Sequence, residues 1–231
     1  MRGGTRVNNQ RVSIFQVAAV YVGTVIGAGF ATGKEIYEFF TQYGLYGLLG
    51  IFLSGFIFMR IGKKIMIISL HKNLKNYMEF NDWLFGKRIS FFVNILFMGM
   101  LIGVTGIMMS GVGGLFEEQL GFSKIGGMVF TMFLSVVVMS WGTKGLLSIN
   151  TFVVPAMILF NIVLMGVSLF HFNSVQIFLT IPDQISWKLI LSPFSYTAFN
   201  LALTQAILVP LAAEIQDENI IRKGANLGGL Y

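Results

Sequence analysis

The stretch Gly23-Thr24-Val25-Ile26-Gly27-Ala28-Gly29-Phe30-Ala31-Thr32-Gly33 decides how this chain is read. It sits near the middle of a mostly apolar segment that runs from Val12 to Phe40. Four glycines in eleven residues each cost an α-helix roughly 1 kcal/mol relative to alanine. A membrane-spanning helix tolerates such a centre because neighbouring helices re-satisfy the freed backbone groups. Where the backbone unwinds, bare carbonyl and N–H groups face a cavity. Many secondary transporters build ion and substrate sites at the bilayer midplane in this way. The same spacing, Gly23-xxx-Gly27 and Gly29-xxx-Gly33, also serves close packing between helices.

The rest of the chain places this segment in a membrane. Of 231 residues, 55% are hydrophobic and only 11% are charged, against about 25% charged in soluble domains. The mean hydropathy is +0.76. Six apolar runs, roughly 12–40, 45–70, 89–116, 125–142, 149–172 and 190–213, match the ~20 residues needed to cross a hydrocarbon core of ~30 Å. The third exceeds what a perpendicular helix needs, which predicts tilt or extension beyond the lipid. None alternates as barrel strands do. The expectation is an all-α polytopic membrane protein, with residues 1–231 forming a single transmembrane domain.

The net charge of +6 is distributed as in a membrane protein, which argues against a nucleic-acid partner. Arg2, Arg6 and Arg11 precede the first run, and Arg60, Lys63, Lys64, Lys72, Lys75, Lys87 and Arg88 lie between the second and third. Lys144, Arg222 and Lys223 fall on the same side, leaving Lys34, Lys124 and Lys188 on the other. The positive-inside rule then predicts cytoplasmic termini, and six crossings agree with that. The loop from His71 to Arg88, with Tyr77, Phe80, Trp83, Leu84 and Phe85 among its polar residues, reads as an interfacial helix or turn. The long outer loop is 173–188. There is no cysteine, which excludes disulfides, thiolate catalysis and Cys-based metal sites.

The sixth run opens with Ser192-Pro193, a helix start signal. Asn200, Thr204 and Gln205 follow eight to thirteen residues from the outer end. At 1.5 Å per residue they reach mid-bilayer, and Thr197 precedes them on the same run. Pro210 predicts a kink about one turn earlier. Two interrupted spans running in opposite directions point to a transporter site. After a polar stretch, Gly224 to Tyr231 begins a further apolar run, which predicts that more helices belong to this protein.

Two stretches resemble a known family. Val25-Ile-Gly-Ala-Gly-Phe-Ala-Thr-Gly-Lys-Glu-Ile36, with Phe39-Phe40 and Tyr43-Gly44, is similar to the first helix of the bacterial YkvI-type membrane proteins. Tyr196-Thr-Ala-Phe-Asn-Leu-Ala-Leu203 and Leu208-Val-Pro-Leu211 are similar to their sixth. Those proteins are placed in the amino acid–polyamine–organocation superfamily, with its LeuT-type fold of five plus five inverted repeats. The resemblance implies the first repeat plus helix 6, without helices 7–10. It also implies a secondary active transporter of an amino acid or similar zwitterion, in a bacterial inner membrane.

On that reading, carbonyls of Gly27, Ala28 and Gly29 face a cation, with Gly27 and Ala28 as backbone ligands to Na⁺. N–H groups near Ala31, Thr32 and Gly33 would meet a carboxylate. Thr197, Asn200, Thr204 and Gln205 complete the candidate site. No carboxylate or lysine lies in mid-membrane, which favours sodium over protons as the coupling ion. Lys34 and Glu38, spaced i, i+4, read as an interfacial ion pair, with an outer gate including Glu35 as the functional alternative. Asn94, Asn161 and the glycine-rich face Gly99, Gly103, Gly106, Gly111, Gly113 and Gly114 read as packing features. His71 and His171 lack metal-ligand spacing, no nucleotide-binding loop is present, and no catalytic constellation emerges. The competing reading is a six-helix assembly or sensor protein without transport.

Overall fold

The structure, a computed structural model, describes residues 12–26, 33–170 and 187–229. Every regular element among them is helical. Helix α1 (Ile14–Val25) opens on a capping box, in which the Ser13 hydroxyl accepts from the Gln16 N–H and the Gln16 side chain accepts from the Ser13 N–H. Two otherwise unpaired donors are thereby satisfied. A short helix α2 (Lys34–Phe39) follows, then a tight turn Thr41–Tyr43 and helix α3 (Gly44–Ile57). Phe40 (φ −135, ψ −60) and Gly44 (φ 54, ψ −128) make the corner between α2 and α3, so the apolar stretch from Lys34 to Lys72 is no single rod. A π-turn, Phe58–Gly62, leads into α4 (Lys63–Lys72).

Beyond α4 come α5 (Tyr77–Leu120), α6 (Lys124–Met139), α7 (Gly142–Leu169), α8 (Trp187–Ile215) and α9 (Glu218–Gly229). Gly86, at φ 75 and ψ 155, breaks α5 into 77–85 and 87–120, a backbone conformation that glycine alone adopts freely. Before the break, Trp83, Leu84 and Phe85 are exposed, as the aromatic character of the His71–Arg88 loop leads one to expect. At 1.5 Å per residue the part after the break is about 50 Å long, well beyond the ~30 Å hydrocarbon core.

Four stretches are long and apolar enough to cross a membrane: Lys34–Lys72, Tyr77–Leu120, Gly142–Ser168 and Trp187–Ile215. The apolar helices α1 and α6 are shorter. The surfaces of α5, α6 and α7 are rich in exposed apolar side chains, among them Phe92, Ile107, Phe133, Val136 and Phe160. Such faces suit lipid, and the architecture fits a polytopic membrane protein.

Helix α1 is the centre of the molecule. Val17, Val20 and Tyr21 are buried, and their cluster takes in Met66 of α4, Leu147 of α7, Leu208, Leu211 and Ala212 of α8, and Ile221 and Ala225 of α9, while Val22 packs with Ala19 and Val154 of α7. An all-round apolar helix is stable only when enclosed in this way. The close approach of α9 depends on glycine: a Cβ at Gly224 would stand 2.6 Å from the Val17 Cβ, and one at Gly228 2.6 Å from Tyr21 Cδ1. The sequence Gly224–Tyr231, read as the start of a further apolar run, is thus helical through Gly229 and docks against α1.

Two local expectations are corrected. Helix α8 begins at Trp187, six residues before Pro193, so Ser192 is not its N-cap. Its hydroxyl instead donates to the Phe39 carbonyl at the end of α2, at 2.6 Å. Helix α8 stays helical through Pro210 as far as Ile215, as a proline that kinks a helix without ending it permits, and its neighbours Val209 and Leu211 are buried. The glycine face of α5 packs less than expected. Among the described residues, only Gly113 meets a neighbour, in Lys124 and Met128 of α6, while Gly99, Gly103, Gly106, Gly111 and Gly114 face open space. The outer loop 173–188 lies outside the described residues as far as 186.

Candidate functional site: the end of helix α1

The ladder of α1 stops inside the apolar run 12–40. The Ile26 N–H still bonds the Val22 carbonyl, but Ile26 itself is extended, with φ −74 and ψ 101. Counted from Val12 at 1.5 Å per residue, this end lies about 20 Å along the span. Helical structure resumes at Lys34 after Gly33, whose φ of 70 puts it in the left-handed region. Gly27, Ala28, Gly29, Ala31 and Thr32 lie outside the described residues. The last turn of α1 concentrates the partial negative charge of the helix end.

Helix α8 turns its polar face toward this end. Thr197, Asn200, Thr204 and Gln205 are all buried. The Thr204 hydroxyl donates to the Asn200 carbonyl one turn back at 2.6 Å and lies 3.3 Å from the carbonyl of Thr24, in the last turn of α1. Thr197 and the Asn200 amide donate within α8, to Pro193 and Tyr196 carbonyls. Gln205 points elsewhere. Its amide lies 3.5 Å from Asn81 Oδ1, and the Asn81 amide donates to Asn94 Oδ1 at 2.8 Å. Ser90 donates to Asp82 beside them. Two hydrogen bonds, Asn81 to Asn94 and Ser90 to Asp82, therefore span the Gly86 break.

A cavity of about 380 Å³ opens at the end of α1. Val22, Val25 and Ile26 form one wall; Ile36 and Phe40 come from the α2 region, Ile51, Ser54, Gly55 and Phe58 from α3 and the π-turn, and Tyr196 from α8. Tyr21, Asn161 of α7, and Gly228 and Gly229 of α9 complete it. The Tyr196 ring is a hub, its centroid 5.0 Å from Phe40, 5.4 Å from Phe39 and 6.0 Å from Phe58. Lys34 and Glu38 form an exposed i, i+4 pair at 3.8 Å. Such a pair is worth a fraction of a kcal/mol.

Of the residues that sequence reasoning nominates, Thr204 meets α1, Thr197 and Asn200 lie buried on the same helix, and Gln205 joins a separate polar chain. Gly33 caps α2. The cavity wall itself contains none of these four α8 side chains. Tyr21, Ser54, Gly228 and Gly229 carry no motif; the one available signal is a tyrosine inside an otherwise apolar helix, whose hydroxyl needs a partner when buried.

Comparison with known proteins adds to this geometry. Over 217 residues, 94% of the chain, it is 48% identical to the uncharacterized membrane protein YkvI of Bacillus subtilis. The chain is similar to a bacterial membrane protein. It is also 26% identical over 196 residues to YyaD of the same organism. The chain spans 62% of the length of YkvI and 55% of that of YyaD. No family model matches, and no solved structure matches. The likeness to YkvI supports a YkvI-like membrane protein, in accord with the apolar helices.

Proposed function

We propose that the protein is a secondary active transporter of a small solute, an amino acid or similar zwitterion, driven by sodium and working by alternating access. The observation that carries this reading is the end of α1 inside its apolar run, beside the buried polar face of α8 and a cavity of about 380 Å³. A chain stop in mid-membrane is tolerated only where it lines a cavity or is buried in protein, and transporters use that arrangement to bind ions and solutes. The negative end of α1 favours a cation. The mid-membrane parts of the described helices offer no carboxylate or lysine as a proton carrier, which favours sodium over protons as the coupling ion.

The resemblance of 25–44 and 196–211 to YkvI-type helices extends the reading to a LeuT-type inverted-repeat fold. In it, α8 is the counterpart of α1, and one bundle rocks about the site between them. Gly27 and Ala28 then supply carbonyls to Na⁺, and the segment Ala31-Thr32-Gly33 meets the carboxylate. The excess of basic residues on one side supports the reading that both ends of this chain are cytoplasmic in a bacterial inner membrane.

The test is uptake of labelled amino acids by vesicles carrying the protein, with and without an inward sodium gradient. Sodium-dependent accumulation is the expected result. Asn200→Ala is expected to weaken it by about tenfold, the scale of one lost hydrogen bond at ~1.4 kcal/mol. Absence of uptake for every solute under any gradient would favour a non-transporting assembly or sensor role.

A further inference from the structure

The cavity at the end of α1 has a chemistry more specific than its location. No charged side chain stands among its described lining residues. Three of its polar side chains are already engaged inward. The Tyr21 hydroxyl donates to the Phe58 carbonyl at 2.6 Å, Ser54 to the Pro193 carbonyl at 3.3 Å, and the Asn161 amide to the Met157 carbonyl at 2.9 Å. Most of the rest of the lining is aliphatic and aromatic surface, with Ile36, Ile51, Phe40 and Phe58 beside the Tyr196 ring. A charged group brought there would lose its water without gaining a partner.

The polarity changes at one end. The terminal turn of α1 contributes Val25 and Ile26 to the wall, and its aligned carbonyls carry partial negative charge. That end favours a positive group and repels a carboxylate. The cavity is large for a single water or ion and falls in the range of small-molecule pockets.

We infer that the transported solute is an amino acid with a bulky, uncharged, apolar side chain, aliphatic or aromatic, whose ammonium group lies at the end of α1 and whose side chain fills the pocket between Ile51, Phe40, Phe58 and Tyr196. This rests on the transport reading above and adds the side-chain class. Alanine leaves most of the pocket empty, while lysine and glutamate place a charge against its apolar wall.

Gly55 gives the means of testing it. A Cβ there would meet only the Gly229 carbonyl oxygen, at an ordinary 3.6 Å, so a side chain enters the cavity without collision at its root. Uptake of labelled leucine, phenylalanine, alanine, lysine and glutamate is measured in vesicles carrying the protein and its Gly55→Leu variant, each scored against protein in the membrane. In the unaltered protein, leucine and phenylalanine are expected to exceed lysine and glutamate by about tenfold or more, the scale of discrimination available to an apolar pocket. In Gly55→Leu, the ratio of phenylalanine to alanine uptake is expected to fall by about tenfold, because filled volume excludes the larger side chain first. If Gly55→Leu fails to insert, Gly55→Ala is expected to shift the same ratio in the same direction by less. Uptake that favours lysine or glutamate, or a phenylalanine-to-alanine ratio unchanged in both variants, would overturn this inference and leave the transport reading standing. No uptake of any solute would overturn both.

Discussion

The hydroxyl of Tyr21 donates a 2.6 Å hydrogen bond to the carbonyl of Phe58. Phe58 opens the π-turn that joins α3 to α4, and a π-turn disturbs the i→i−4 ladder so that a carbonyl is left for another donor. Tyr21 supplies that donor from the buried centre of α1. The approach requires bare backbone on both sides of the ring, since a Cβ at Gly62 would stand 2.0 Å from the hydroxyl and one at Gly228 2.6 Å from the ring. One side chain thus ties the central helix to the π-turn and to α9.

Tyr21→Phe keeps the ring and removes the donor. The Phe58 carbonyl is then buried without this partner, at a cost of about 1–3 kcal/mol. Thermal unfolding in detergent is expected to show a lower midpoint for Tyr21→Phe, with unchanged membrane insertion. An unaltered midpoint would mean that the π-turn does not depend on this bond.

Gly224 sets the distance between α9 and α1. A new methyl would press on the Val17 Cβ and Cγ1, at 2.6 and 2.7 Å, and on the Ile14 carbonyl at 3.1 Å. A Cβ and a backbone carbonyl move only with their helix, so Gly224→Val is expected to push α9 away, by more than about 1–3 kcal/mol for overpacking. Paired cysteines at Val12 and Ile220, which pack against one core cluster, report this on the cysteine-free background. Their cross-linking yield should drop in the Gly224→Val background.

Much of the architecture is legible in the sequence, for reasons that differ along the chain. The described parts of the apolar runs are largely helical, because length and hydropathy are local properties, although the first run holds two separate helices, α1 and α2. The described part of α1 ends at Val25, at the near edge of the glycine cluster Gly23–Gly33, while the expected break at Gly27–Gly29 lies outside the described residues. The start of α8 is misread because Ser192-Pro193 matches a capping signal, while the serine is used to bond Phe39 across the fold. Pairings between distant segments, such as Tyr21 with Phe58 or Gly224 with Val17, leave no periodic trace. The four α8 residues are recognisable as costly polar groups in an apolar helix, yet which of them meets α1 depends on helix rotation set by packing.

A polar latch joins α4 to α9 at their exposed ends. Glu218 accepts from Arg222 Nε at 2.6 Å and pairs with His71 Nε2 at 2.9 Å. Hydrogen bonding from His71, then from Arg222, holds the Glu218 carboxyl below the usual carboxylate range. A depressed folded-state pKa means that the latch contributes fully above the ordinary carboxylate pKa and is lost as pH falls toward the depressed value. The unfolding midpoint of the protein is therefore expected to fall more steeply with acid in that window than that of Glu218→Gln. Parallel profiles would show that the exposed latch adds nothing.

The proposed orientation in the membrane rests on the positive-inside rule and is open to direct labelling. A single cysteine at Lys72, in the basic loop, is expected to resist an impermeant thiol reagent added outside intact cells. One at Ser123, the N-cap of α6 on the opposite side, is expected to react. The reverse pattern would invert the topology.

The central claim is that α1 ends at a solute-accessible cavity inside the membrane. A single cysteine at Ile26, in the extended residue that closes α1 and lines the cavity, measures this most directly. In native membranes Ile26→Cys is expected to react with a small hydrophilic thiol reagent, and leucine plus sodium is expected to slow that reaction. A cysteine at Ile26 that stays unreactive in the native protein, and reacts only after denaturation, would contradict the claim.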